Sequence, residues 1–232
     1  MHSPTLVRRG ALASLLGGLL FGPYAVAKPV VTARIAATGW HLPGLSADAT
    51  NQLFHALEAV PVLMMAAGVV ALATRYEDLR HGVGRAGAVV ALLGFASMTV
   101  FHWIEHLAPA LRVAVLTGSL NWFEAGYYAG WVTINVGLFA SGLALSRSGG
   151  RPRTVGRALL VPFPLATAGS VLAVLTGAYT FAGTHRLVAA ATWVFLGALL
   201  LLGPRPADDT PQTVPSRGTR TDGGGPNAPD DP

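Results

Sequence analysis

The sequence predicts an all-α fold, a polytopic transmembrane helical bundle of about six spans with a disordered C-terminal tail. Three observations carry that expectation. Of the 232 residues, 52% are hydrophobic and only 12% charged, with a mean hydropathy of +0.50, whereas a soluble domain carries about a quarter charged residues. The apolar residues also gather into long blocks, not the short alternating segments of a transmembrane β-barrel. Finally, the basic residues fall in short connections between the blocks and favour alternate ones.

The first block, Gly10 to Ala27, follows Arg8 and Arg9. Ala25-Val26-Ala27, preceded by Gly22-Pro23, has the small-x-small form of a signal-peptide cleavage site. The alternative, favoured by the polytopic pattern, is an uncleaved first helix with Lys28 at its outer boundary; cleavage would leave five spans. Residues 28–50, with Pro29, Trp40, His41 and Pro43, are expected as an outer segment. Span two is expected over Gln52 to Ala73, with Pro61 as a kink, and span three over Ala86 to Leu107. Span four follows over Leu120 to Leu145, span five over Ala158 to Phe181 and span six over Leu187 to Gly203. Each can cross a hydrocarbon core of ~30 Å at ~1.5 Å per residue, span six only just.

Orientation follows from the same basic residues. With the N-terminus inside, twelve of the 16 lie on inner segments: Arg8, Arg9, Arg75, Arg80, Arg85, the four arginines from Arg147 to Arg157, and three in the tail. Lys28, Arg34, Arg112 and Arg186 lie outside. That bias orients both termini to the cytoplasm and the protein to the cell membrane. Residues 1–203 then form the transmembrane domain. Residues 204–232, rich in Pro, Gly, Thr and Asp, cannot bury enough surface to offset ordering and form a disordered cytoplasmic tail.

The net charge of +5 and isoelectric point near 10.2 could suggest nucleic acid. Their distribution points instead to membrane lipids, so no nucleic-acid partner is expected. Without cysteine, thiolate metal sites and Cys nucleophiles are excluded. No P-loop, dinucleotide-binding glycine motif or G-x-S-x-G elbow appears. No lysine falls inside an expected span, which rules out a retinal Schiff base. Gly126 to Gly130 forms a G-x-x-x-G helix-packing face, and mid-span Asn135 is expected to bond to a neighbouring helix.

What remains is a polar cluster at one membrane depth. Glu58, Glu105 and Glu124 fall inside spans, where an ionisable group is costly and generally faces a partner. Alternating span direction brings His55 and Glu58, His102, Glu105 and His106, and Asn121 and Glu124 all to the outer ends, with His41 and His185 in outer loops. Phe54-His55-Ala56-Leu57-Glu58 and Phe101-His102-Trp103-Ile104-Glu105 share a pattern in which His and Glu, at i and i+3, lie on one helix face. Facing His–Glu pairs build metal sites in helical bundles. His102 to His106 also fits the spacing H-x-x-E-H, in which two His bind zinc and the Glu acts as general base.

Three readings fit this cluster. In the first, His55, Glu58, His102, His106 and Glu124 are metal ligands and Glu105 a catalytic base. Zinc or iron suits imidazole and carboxylate without sulfur, and haem, with His55 and His102 as axial ligands, is a variant. In the second there is no cofactor: the cluster locks the helices of a structural subunit or one that binds another membrane protein, and Trp40, Trp103 and Trp122 form an interfacial belt. In the third, the glutamates carry protons or ions, although no polar path continues inward.

Overall fold

The computed structural model describes residues 4–107, 122–162, 164, 165, 168 and 184–203. These residues form an all-helical bundle of the membrane type, and no strand occurs among them. Helix α1 spans Pro4–Thr38, α2 Ala47–Ala56, α3 Ala59–Arg75, α4 Gly82–Leu107, α5 Trp122–Ser146, α6 Gly150–Leu160 and α7 Thr184–Leu202. A 3₁₀ turn at Glu77–Leu79 joins α3 to α4. Four helical segments, Pro4–Thr38, Ala47–Arg75, Gly82–Ile104 and Ala129–Ser146, are long and apolar enough to cross a membrane, and Arg186–Leu202 is a shorter apolar helix.

Burial follows the logic of lipid as solvent. On α1, Leu12, Leu16, Leu19 and Leu20 face outward, as do Val89, Leu93 and Val100 on α4 and Val132, Val136 and Leu143 on α5. Small residues instead line the helix contacts. A Cβ added at Gly94 would fall 2.6 Å from Ile134 N and 2.8 Å from the Gly130 carbonyl oxygen, so α4 and α5 meet backbone to backbone. At Gly18 an added Cβ would lie 2.6 Å from the Ala190 carbonyl oxygen, which ties α1 to α7. In lipid, helices associate through such close packing, because exposed leucines lose nothing to the solvent around them. Gly126 and Gly130 likewise press on Phe101 and Met98 of α4, as their G-x-x-x-G spacing predicts.

Several expectations are revised. Residues 28–38, expected outside the first span, continue α1 without a break despite Pro23 and Pro29. Lys28 therefore lies within the helix, and the ground for excluding lysine Schiff-base chemistry falls away. Residues 47–50 are the first turn of α2, capped by Ser46 Oγ, which accepts the Ala49 N–H at 3.1 Å. The connection after Ser146 is also helical, as α6. Asn135 bonds within its own helix, donating from Nδ2 to the Trp131 carbonyl at 2.8 Å, because the carbonyl four residues back is within reach of so short a side chain. Most of span five, and the tail, lie outside the described residues.

Span two is divided at Leu57–Glu58, and Pro61 explains why. Without an N–H, Pro61 cannot bond to the Leu57 carbonyl, and its ring crowds that carbonyl. The Val60 N–H takes the oxygen at 3.3 Å, and two residues earlier the Glu58 N–H reaches His55 O at 3.0 Å. These i to i+3 bonds tighten the chain, so that His55 and Glu58, three apart, stay close to one side of it.

Candidate metal and ion-pair site

The break in span two separates two groups of polar side chains. The first is imidazole. His55 comes from the last turn of α2, and His102 and His106, four apart, share one face of the last two turns of α4. The ring centroids of His55 and His106 are 4.7 Å apart, those of His102 and His106 4.5 Å, and those of His55 and His102 6.4 Å. One ligand nitrogen from each ring lies within 4.8 Å of the other two. A tetrahedral zinc with Zn–N of about 2.0–2.1 Å would need nitrogens about 3.3 Å apart, a closure within the reach of side-chain rotation.

Two of these rings are held by oxygen acceptors. His102 Nε2 donates to the His55 carbonyl at 2.7 Å, so a neutral His102 carries its lone pair on Nδ1. His106 Nδ1 donates to Gln52 Oε1 at 2.6 Å, which places the lone pair of a neutral His106 on Nε2. A metal-binding imidazole generally donates its other N–H to a carbonyl or carboxylate in this way, which fixes tautomer and ring orientation. The His55 carbonyl is available because the Pro61 break has released it from the regular helical pattern.

The second group surrounds Glu58, whose side chain is fully buried. Oε2 accepts from Lys28 Nζ at 2.7 Å and Tyr24 Oη at 3.2 Å. Oε1 accepts from Tyr127 Oη at 2.5 Å and Arg186 Nε at 3.2 Å. Those four donors account for the four lone-pair positions of a carboxylate. Arg186 Nη2 also donates to Tyr127 Oη at 3.1 Å. Three helices, α1, α5 and α7, thus close on the residue at the break in span two. The groups adjoin one another: His102 Nε2 lies 3.7 Å from Glu58 Oε2, and the Tyr127 ring sits 5.0 Å from the His102 ring.

Of the residues expected at the site, His55, His102 and His106 converge, while Glu58 sits beside them among cations and phenols. The Glu105, Glu124 and His185 side chains, and all of Asn121, lie outside the described residues. His41 stays in the connection between α1 and α2, exposed and near its neighbour Leu42 O. Sequence reasoning missed Gln52, Tyr24, Tyr127 and the pairing of Lys28 and Arg186 with Glu58. The two cations were in view as outer charges, and a buried carboxylate calls for such partners. Nothing in the local sequence marks the tyrosines.

No known protein family, curated protein or solved structure matches the chain.

Proposed function

We propose that the chain is a multi-pass protein of the cell membrane, both termini cytoplasmic, in which His55, His102 and His106 hold a zinc or iron ion. The observation that carries this is the convergence of three imidazoles from two helices, with the second nitrogen of two of them anchored on an oxygen. Orientation rests on the twelve-to-four distribution of basic residues, which places the cluster toward the outer face.

Three protein nitrogens leave a fourth position on a tetrahedral ion, the arrangement of catalytic sites. An ion held there would supply an acidified water, suited to hydrolysis of a lipid-like substrate. Glu105, directly before His106, is the proposed proton acceptor, and Glu124 at the start of α5 a fourth ligand or an orienting group. Glu58 keeps its place in this scheme as a counter-charge beside His102. A bare ion fits better than haem: the His106 ring lies close to both His55 and His102, where a porphyrin between those two would have to pass.

A second reading has its own support, since the Glu58 group joins α1, α5 and α7 with no metal needed. It makes the whole cluster a lock between helices, in a subunit that binds another membrane protein. Elemental analysis of protein purified without chelators separates the two. The metal reading expects about one zinc or iron per chain, no Soret band and loss of the ion in His102→Ala. A metal-free preparation, in which His102→Ala lowers only the melting temperature, would leave the lock alone standing.

A further inference from the structure

One acceptor close to the imidazoles is unused. Asn51 stands in the middle of α2, and its Oδ1 is buried without a hydrogen-bond partner. Leaving such an oxygen unpaired costs stability, so the orphan calls for an occupant. Asn51 lies four residues before His55 in an unbroken stretch of helix. Residues at that spacing are neighbours on one face, with Cβ atoms about 5–6 Å apart. At 3.6 residues per turn, Asn51 sits about 40° from His55 on one side and about 60° from Phe54 on the other. His55 faces the α4 imidazoles, and Phe54 stacks on Tyr24 of α1 with ring centroids 5.3 Å apart. Asn51 is therefore set between the faces that α2 turns to α4 and to α1.

The register of α2 against α4 carries the placement further. His102 bonds to the His55 carbonyl and His106 to the Gln52 side chain. The two helices thus run antiparallel here, and the turn of Asn51 and Gln52 lies level with His106. The His55 ring leans the same way, its centroid 4.7 Å from that of His106 and 6.4 Å from that of His102. Gln52 Oε1 is already committed to His106, which leaves the Asn51 oxygen as the free one on this turn. Each helix then offers an i, i+4 pair to one space: His102 and His106 from α4, Asn51 and His55 from α2. Two ligands at that spacing on one helix face can grip a single zinc ion.

We propose that Asn51 is the fourth ligand of the ion, coordinating through Oδ1. The assignment rests on the metal reading above and completes its donor set as three imidazoles and one carboxamide. A neutral carboxamide oxygen is the weakest of the four donors. An incoming carbonyl or phosphoryl oxygen can displace it while the imidazoles keep the ion. The site is closed at rest and opens to substrate by exchanging one oxygen for another.

The test is the zinc affinity of the full chain in detergent, read by competition with a chelating dye, for the native protein, Asn51→Ala, Asn51→Asp and Leu53→Ala. Asn51→Ala is expected to weaken zinc binding by at least about tenfold. Asn51→Asp keeps an oxygen in place and adds charge, so it should bind zinc at least as tightly as the native chain. Leu53 is 40% exposed and lies on the opposite face of α2, so Leu53→Ala should bind as the native chain does. Cobalt in place of zinc gives a second readout, since its visible bands report the donor atoms. They should shift in both Asn51 variants and stay unchanged in Leu53→Ala. Native affinity in Asn51→Ala overturns the assignment and leaves the three imidazoles standing. An equal loss in Asn51→Ala and Asn51→Asp overturns it too, because packing alone would then explain both. A native chain that binds no zinc removes the metal reading and this ligand together.

Discussion

At one end of the bundle, Arg75 and Arg151 donate to the Leu200 and Leu199 carbonyls of α7, and Arg80 to the Ala73 and Thr74 carbonyls of α3. At the other, Lys28 and Arg186 close on the Glu58 carboxylate. Both ends use cations to tie helices together, but the acceptors differ in kind. The last carbonyls of a helix are neutral groups carrying a partial negative charge, and a cation there satisfies oxygens the helix itself cannot. Glu58 is a full charge in a fully buried position, so its partners are bound to it by necessity. The arginine end can lose a contact and refill it with water or headgroups, whereas the Glu58 end has no such substitute.

The largest expected effect follows directly. Glu58→Gln leaves two cations facing a neutral amide and should cost about 3–5 kcal/mol of stability, the usual result of removing one partner from a buried pair. Reversible unfolding in mixed micelles measures it. Adding Lys28→Gln to that variant should recover part of the loss, since one stranded charge is then gone; no recovery would mean that Lys28 and Glu58 are not coupled. An intermediate effect belongs to the imidazoles. Gln52→Ala removes the acceptor of His106 and should weaken zinc binding by about ten- to a hundredfold while leaving the ligands in place. Competition against a chelating dye reads that change, and an unaltered affinity would detach Gln52 from the site.

The smallest effect is expected at the opposite end. Arg80→Ala deletes hydrogen bonds to two carbonyls and should cost about 1–2 kcal/mol, with zinc affinity untouched. A loss as large as that of Glu58→Gln would erase the distinction between the two ends. A further check concerns α1, which packs on α3 and α7 and supplies Tyr24 to Glu58. Intact-mass measurement of membrane-extracted protein should show this helix retained, and a mass beginning at Lys28 would mean that Glu58 must manage without Tyr24.

The architecture was legible because lipid imposes long apolar blocks, and those blocks survive as α1, α3, α4, α5 and α7. That His55, Glu58, His102 and His106 come together could be read too, since span direction alternates along the chain. What could not be read was how the polar residues divide. The i, i+3 rule brings His55 and Glu58 to one side of the chain, but it does not say that cations and phenols take up the carboxylate while the imidazole meets two others. The partners of Glu58 were hidden by distance along the chain: Lys28 lies 30 residues away and Arg186 128. Spacing rules see only a few turns of one helix, and such pairings arise from packing between helices.

The acceptor that steadies His102 belongs to the main chain of residue 55, not to its side chain. Random substitution at position 55 could strip away one imidazole and still leave its neighbour's orientation intact, so the two contributions of that residue can be lost separately. The vulnerable point for the second contribution lies six residues downstream. Pro61→Ala would return an amide to the Leu57 carbonyl, let the helical ladder close and draw the His55 oxygen back toward Ala59. A single exchange to the most permissive helix former, touching no ligand, would thereby loosen the site.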